Sequence, residues 1–455
     1  MSVSGLPPRH ILSKSTFMRG CQCAKSLWLH KHHSAMRDAL SETQASIFAQ
    51  GTNVGLLARE LYPNGVDASP ADAFHYQQSV ADTQRYLAEG RTVIYEAAFQ
   101  FEGVLAAVDI LVMRRGRWYA YEVKSSTSVK EQYVTDAALQ YYVIRNAGIE
   151  LRDIFIVHIN SDYVRRGNLS VSELFYKESV LNRVLDLQAF ISGQVRALKK
   201  VAQLVEAPDV ASGAQCHKPY TCDFFGYCHA TDEAEDDFGA ANIDAAALAG
   251  FVSTLQYPLY FMDFETWSAA VPEYDGHWAY RQVPFQFSVH RQDAPGAPLQ
   301  HDCFLADASG DTCSTFLEAL LPVMGEEGSV VVYNKAFENR ILNELKEDHP
   351  FSVERIENIQ QRMVDLMQPF RRKQLYLPEM QRSYSIKYVL PALVPGLSYD
   401  TLAIGNGGDA SAAFYELRTV ADAAEVARIR KALLEYCALD TLAMYRILQK
   451  IQEHL

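Results

Sequence analysis

Four sets of residues in this 455-residue chain have types and spacing that suit chemistry. In "AYEVKSS", Glu122 and Lys124 stand two apart on a strand, so both project from one face with Val123 on the other. Asp109 lies 13 residues earlier in the otherwise apolar "AAVDILV". Pairing the two strands as a hairpin would bring it near that face. Two carboxylates and an ammonium suit metal-assisted phosphodiester cleavage. Hard oxygens hold Mg²⁺ or Mn²⁺, and the cation lowers the pKa of a bound water while Lys124 steadies the developing charge. The competing reading is a solvated strand face with an ordinary Glu–Lys pair. In the second half, "YFMDFETW" places Asp263 and Glu265 on one face of another apolar strand. Near the C-terminus, Tyr436 and Asp440 stand four apart on an amphipathic helix and share its face. In the middle, "QCHKPYTCDFFGYCH" carries Cys216, Cys222 and Cys228 at even spacing, with His217 and His229 beside them. Three such cysteines look like metal ligands short of a fourth.

The elements that must position these groups can be read from pattern. "TVIYEAAFQFEGVLAAVDILVMRRGRWYAYEVKSS" predicts three or four strands, with turns at "FEG" and "RRGR". "VTDAALQYYVIRNAG" predicts a helix after them. In the second half, "VPFQFSVHRQ" predicts a further strand. "EGSVVVYNKAFENRILNELKE" predicts strand, turn and helix with Glu338 opening the helix, and "RMVDLMQPF" a strand ending at Asp365. The fold class expected is α/β.

Composition agrees with two globular units. Hydrophobic residues make up 49% and charged residues 21% of the chain. Net charge is −13, which argues against a broad non-specific grip on nucleic acid, though local grooves outweigh the sum. The charge is uneven: residues 1–228 hold 24 Lys+Arg against 22 Asp+Glu, and residues 229–455 hold 18 against 33. The acidic, small-residue segment 231–250 reads as a linker running into a short helix, between units at 1–230 and 251–455. No run of about 18 apolar residues predicts a membrane span, and "MSVSGLPPRHILSKS" has no apolar signal core. A cytoplasmic protein is expected, whose eight cysteines serve as thiols or metal ligands.

The first set, followed by its helix, resembles the PD-(D/E)XK nucleases, especially their RecB-like branch. The resemblance implies a restriction-endonuclease-like domain with Asp109, Glu122 and Lys124 as its catalytic core and Gln140 as the glutamine of the following helix motif. Two positions depart from the branch's pattern: Gly55 in "GTNVG" stands where a His is frequent, and Ile144 where a Tyr is usual. Some members of the branch staple their fold with a [4Fe–4S] cluster, using one cysteine before the nuclease core and three after it. The resemblance implies Cys23, in the early "CAKSLW", as the partner of Cys216, Cys222 and Cys228. Cys21 is the alternative to Cys23. Zinc is the alternative to iron–sulfur, with His217 and His229 as spare ligands. Cys303, Cys313 and Cys437 are read as core or surface thiols.

The second and third sets together resemble the DnaQ-like 3′–5′ exonucleases of the DEDDy type, which have an RNase H-like mixed sheet. Asp263 and Glu265 match Asp-x-Glu, and Tyr436 and Asp440 match Tyr-x-x-x-Asp. "NKAFE" matches the middle motif at Asn334 and Phe337, with Glu338 where Asp is usual. The resemblance implies two-metal hydrolysis, with Asp263, Glu265, Glu338 and Asp440 as ligands and Tyr436 orienting the water. Asp365 would support a metal indirectly. The stretch 370–388 interleaves Arg371, Arg372, Lys373, Arg382 and Lys387 with Phe370, Tyr376, Tyr384 and Tyr388. It suits either strand binding by stacking and phosphate contacts or a solvated basic face.

The pairing resembles a bacterial family that fuses the two nucleases. It implies a nuclease of single-stranded nucleic acid, DNA favoured over RNA, using Mg²⁺ or Mn²⁺ and a [4Fe–4S] cluster. The alternative is a single-site exonuclease whose first half is a metal-stapled binding module.

Overall fold

A computed structural model of the chain describes residues 9–40, 42–72, 75–229 and 239–455. It is an α/β protein that divides into two compact units. The first comprises residues 1–40, 47–234 and 269–280, the second residues 41–46, 235–268 and 281–455.

The first unit is built on a mixed seven-stranded sheet. Its centre is an antiparallel meander of β1 (Val93–Phe101), β2 (Val104–Arg114) and β3 (Arg117–Lys124). Both hairpins close in two residues with positive φ, Glu102–Gly103 and Arg115–Gly116, the backbone that a tight turn between right-twisted strands requires. α1 (Lys14–Gln22) precedes the sheet. α2 (Glu131–Asn146) carries the chain from β3 to the parallel strand β4 (Leu151–Ile159), and β5 (Phe175–Ser179) follows antiparallel. The short strands Val66–Asp67 and Leu12–Ser13 add to β1 and β2. Buried aliphatic residues of β1, β2 and α2, among them Ile94, Val108, Leu139 and Ile144, form the core. Ile144 is fully buried within it, so the residue at the expected Tyr position packs the core.

The second unit has a mixed five-stranded sheet in the order β8-β7-β6-β9-β10. β6 (Leu259–Trp267), β7 (Val283–Gln292) and β8 (Leu299–Leu305) are antiparallel; β9 (Ser329–Val332) and β10 (Met363–Asp365) run parallel to β6. Strand β8 has no clear alternation and was not expected from the sequence. α3 (Lys335–Asp348), α4 (Gly407–Glu416) and α5 (Ala423–Glu453) surround this sheet. Polar ties from β7 fix α5: Gln286 Nε2 donates to the Leu433 carbonyl at 2.8 Å, and Thr441 Oγ1 lies 2.7 Å from both Ser288 Oγ and His290 Nδ1.

The units divide differently from the expected split. Residues 231–238 of the expected linker lie outside the described residues. Its second half is structured: Asn242–Ile243 pairs antiparallel with Leu375–Tyr376, and Ala245–Val252 is a helix capped by Asp244. Residues 269–280 belong to the first unit. Arg165 Nη1 donates to the Pro272 and Glu273 carbonyls at 3.2 and 2.8 Å, and the Tyr280 hydroxyl donates to the Ser125 carbonyl. Residues 41–46 belong to the second, where Thr43 Oγ1 donates to Asp409 Oδ1 at 2.7 Å. These bonds join residues more than 100 apart in sequence, which no local pattern signals. Among the described residues, no helix is long and apolar enough to cross a membrane.

Candidate active sites

In the second unit, the five residues expected from the two motifs and the α3 turn line one cavity of about 440 Å³: Asp263, Glu265, Glu338, Tyr436 and Asp440. Strand period two sets the first pair on β6, and one helical turn sets Tyr436 above Asp440 on α5. Glu338 comes from the first turn of α3. Its presentation explains the asparagine before it. Asn334 has φ +77, a left-handed conformation that asparagine tolerates better than most residues. Asp365 braces the same turn: its Oδ1 accepts from Asn334 N at 3.1 Å and Met367 N at 3.0 Å. Asp365 thus acts through the backbone that carries Glu338.

The carboxylates are deeply buried: Glu265, Glu338 and Asp440 are 6%, 2% and 7% exposed. Burial, then repulsion from Asp440, Glu265 and Glu338, holds Asp263 well above the usual carboxylate range. Burial and Asp440 do the same for Glu265. Burial pushes Glu338 up to about 8. Asp440 reaches about 7, because burial outweighs the hydrogen bond from Tyr399, the charge of Lys387 and the hydrogen bond from Tyr436. Glu338 Oε2 and Asp440 Oδ2 are buried with no hydrogen-bond partner among the described residues. Orphaned acceptors in a cluster of like charge fit a hard divalent cation.

Three groups here were not legible as site residues. The Tyr399 hydroxyl donates to Asp440 Oδ1 at 2.6 Å, sharing that carboxylate with Tyr436. Cys437, taken as a scattered thiol, lies against Asp263, its Sγ 3.8 Å from Oδ2; burial and the nearby carboxylates raise its pKa and keep it a thiol. Gly407 stands beside Glu265: a Cβ there would meet Oε2 at 3.4 Å. The two tyrosines give a test. Tyr399→Phe removes a donor that holds Asp440 in place and lowers its pKa, so the acid limb of activity moves to higher pH. Tyr436→Phe is expected to lower kcat about tenfold without moving that limb as far. Equal pH profiles for the two variants would contradict this division of roles.

The basic stretch divides. Lys387 is half-buried and feels the carboxylates of Asp440, Asp409 and Glu265. Arg382 and Tyr384 line a neighbouring cavity of about 550 Å³ that shares Tyr333 and Ile386 with the carboxylate cavity. Arg371, Arg372 and Lys373 are exposed and line neither. Phe370 is only 4% exposed, so the expected stacking of a base on its ring is ruled out by burial.

The geometry of this cavity coincides with a domain match. Residues 260–385 match the family model described as a domain of unknown function, DUF2779. The DUF2779 match covers Asp263, Glu265 and Glu338 and ends before Tyr399, Tyr436 and Asp440. No curated protein matches the chain.

In the first unit, the meander register that pairs Ile110 with Tyr121 brings Asp109 beside Glu122. Asp109 Oδ2 accepts from the Val123 amide at 2.6 Å. Lys124 Nζ bridges Glu122 Oε1 and Asp136 Oδ2, both at 2.7 Å. Gln140 reaches this cluster through Asp136, to which its Nε2 donates at 3.3 Å. Lys14 of α1, unanticipated, also donates to Glu122 Oε1, at 2.6 Å. Burial favours the neutral form of Glu122, yet Lys124 and Lys14 hold its pKa well below the carboxylate range. Asp109 is pushed the other way, by burial and by Glu122. Glu96 joins them from β1, where it takes φ +51 in the strand interior, a strained conformation for a non-glycine residue. Burial and the Glu122 charge raise its pKa. Gly55 adds no ligand, and a Cβ there would meet open space.

Cys23, Cys216, Cys222 and Cys228 line one small cavity, with Ser26 Oγ 3.4 Å from Cys222 Sγ. Cys21 does not line it. His217 and His229 do not either; His229 stacks on Phe225 and His217 lies tilted against the same ring. No three of the four sulfurs lie within 4.8 Å of one another, whereas one donor atom from each of Asp263, Glu265 and Cys437 do.

Proposed function

We propose that this protein is a metal-dependent nuclease of single-stranded nucleic acid, with a 3′–5′ exonuclease site in its second unit. The observation that carries the reading is the convergence of Asp263, Glu265, Glu338 and Asp440 on one cavity, with two of their oxygens left orphaned. The mixed sheet beneath them agrees with an RNase H-like domain. Asp263, Glu265, Glu338 and Asp440 would hold Mg²⁺ or Mn²⁺. When bound, the cation supplies Lewis acidity and neutralises charge on the phosphate. Tyr436 orients the water that attacks the terminal phosphorus, and Tyr399 fixes the rotamer of Asp440. Lys387 offsets the added negative charge as the bond from phosphorus to the 3′ oxygen breaks and a nucleoside monophosphate leaves. Arg382 and Tyr384 hold the strand behind it.

Asp109, Glu122 and Lys124 would form a second cleavage site. One observation favours the alternative, a binding module there. Lys14 and Lys124 already share Glu122 Oε1, so two ammonium groups stand where a divalent cation would bind, although Oε2 has no hydrogen-bond partner among the described residues. Cys23, Cys216, Cys222 and Cys228 would hold a [4Fe–4S] cluster, which supplies a cross-link between residue 23 and the 216–228 loop. Zinc is the alternative occupant of the same four cysteines.

The experiment is a cleavage assay on end-labelled single-stranded DNA and RNA with Mg²⁺ or Mn²⁺, comparing wild type with Asp109→Ala and Lys124→Ala. Both variants should lose any cleavage that is not stepwise from 3′ ends while keeping that release. Unchanged products for both variants on every substrate would assign the first unit to binding alone.

A further inference from the structure

Beside the first carboxylate cluster lies a cavity of about 650 Å³ that neither nuclease motif accounts for. Arg9, His10, Lys14, His30, Lys31 and Tyr76 all line it. Its volume is in the range of small-ligand sites. Five basic side chains face one carboxylate, Glu96, and that group already has Arg59 Nη2 at 3.6 Å. Lys14 is engaged by Glu122. Arg9 and Lys31 are exposed and have no carboxylate within 4.0 Å among the described residues. Clustered cations without counter-ions attract an anion. The first turn of α1 adds Ser13, Ser15 and Thr16 to the wall, and with them the positive end of the helix dipole. Tyr76 offers a half-buried ring, edge-on to His10 at 6.5 Å.

We propose that this cavity binds a phosphate-bearing nucleotide of the strand, with Arg9 and Lys31 holding the phosphate and Tyr76 contacting the base or sugar. The inference rests on the reading of the first unit as one that handles nucleic acid. A further observation agrees with it. Both histidines already sit in a field that disfavours more positive charge. Burial, then Lys31 and Arg9, lower the pKa of His10. Burial, then Arg19, Arg37 and Lys31, bring His30 to about 4. An anion in the cavity relieves that field. Lys14 and Glu96 belong to the cavity wall and also touch the charge cluster of Asp109 and Glu122. A nucleotide held here places its neighbouring phosphodiester at that cluster.

The test is fluorescence anisotropy of a labelled short single strand in EDTA, so that nothing is cleaved, over a range of salt. Three strands are compared, carrying a 5′-phosphate, a 3′-phosphate, or hydroxyls at both ends. Arg9→Ala and Lys31→Ala should each weaken binding about tenfold and lower the slope of log Kd against log salt by about 0.7. Weakening confined to one phosphorylated strand identifies the occupant as a terminal phosphate; equal weakening of all three identifies an internal one. Lys31→Glu should be weaker than Lys31→Ala, and melting temperatures matching wild type exclude misfolding. Unchanged affinity and slope in both alanine variants, with Asp109-dependent cleavage intact, would overturn the inference and leave the nuclease reading standing. Lost affinity without any Asp109-dependent cleavage would keep the phosphate site and remove the first catalytic site instead.

Discussion

Asp263→Ala and Asp440→Ala are each expected to abolish release of mononucleotides from 3′ ends, by about 10³-fold or more, and yet the metal-free variants should melt no lower than wild type. Activity would fall because each carboxylate would supply a cation ligand that no neighbour replaces. Stability moves the other way because these groups repel one another in a water-poor cavity. The pH dependence has a definite sign. Unfolded carboxylates titrate near about 4, whereas in the fold Asp440 is raised to about 7 and Glu338 to about 8. Between those values the native state retains protons that the unfolded state has lost. The contribution of these two groups to metal-free stability is therefore fully present below pH of about 4 and declines as pH rises toward 8, by up to about 1.4 kcal/mol per unit for each retained proton. Melting curves in EDTA from pH 5 to 8 check this. Wild type should lose melting temperature across the range and Asp440→Asn should lose less. Mn²⁺ should raise the wild type at pH 8 and barely move the variant. Full 3′–5′ activity in Asp263→Ala, or a wild-type melting temperature that climbs with pH in EDTA, would refute the assignment.

Protein purified without oxygen is expected to be brown, with about four irons per chain, and Cys222→Ser to lose both the colour and several kcal/mol of stability. The cluster would tie Cys23, at the junction of α1 and the next helix, to cysteines beyond residue 215. A cross-link closing a loop of that length removes about 5 kcal/mol of chain entropy from the unfolded state in the simplest model. The comparison variant is Cys21→Ser. Cys21 sits outside the cysteine cavity, and burial raises its pKa to about 11, so it is a poor thiolate ligand. It should keep its iron. Elemental analysis and denaturant melts of both variants measure the contrast. One tightly bound zinc and no colour would replace iron with zinc and keep the cross-link. Iron loss in Cys21→Ser equal to that in Cys222→Ser would mean that the ligand set is wrong.

The grouping of the candidate-site residues was legible wherever chemistry and local periodicity coincide. Asp263 and Glu265 share a strand face because side chains alternate every two residues, and Tyr436 and Asp440 share a helix face because 3.6 residues make a turn. The Asp109–Glu122 pairing was readable because Glu102–Gly103 and Arg115–Gly116 are turn dipeptides that set the strand register. Stacking on Phe370, part of one of the two readings of the basic stretch, fails because the alternation of basic and aromatic residues gives no depth, and that ring is buried.

What sequence alone determined are relations within one element or across one tight turn: the carboxylate pairs, the tyrosine above its aspartate, the α/β class and the cysteine trio. What only tertiary structure decided are relations between distant elements. Lys14 meets Glu122 across 108 positions, Tyr399 meets Asp440 across 41, and Glu96 joins its cluster through a left-handed residue inside a strand. The assignment of residues 41–46 and 269–280 to units on the far side of the linker belongs here too. The reason is physical. Local periodicity and turn geometry act through bonds a few residues long, whereas these contacts exist only after helices and sheets pack. Packing selects among many partners by burial and charge, which no short stretch of sequence records.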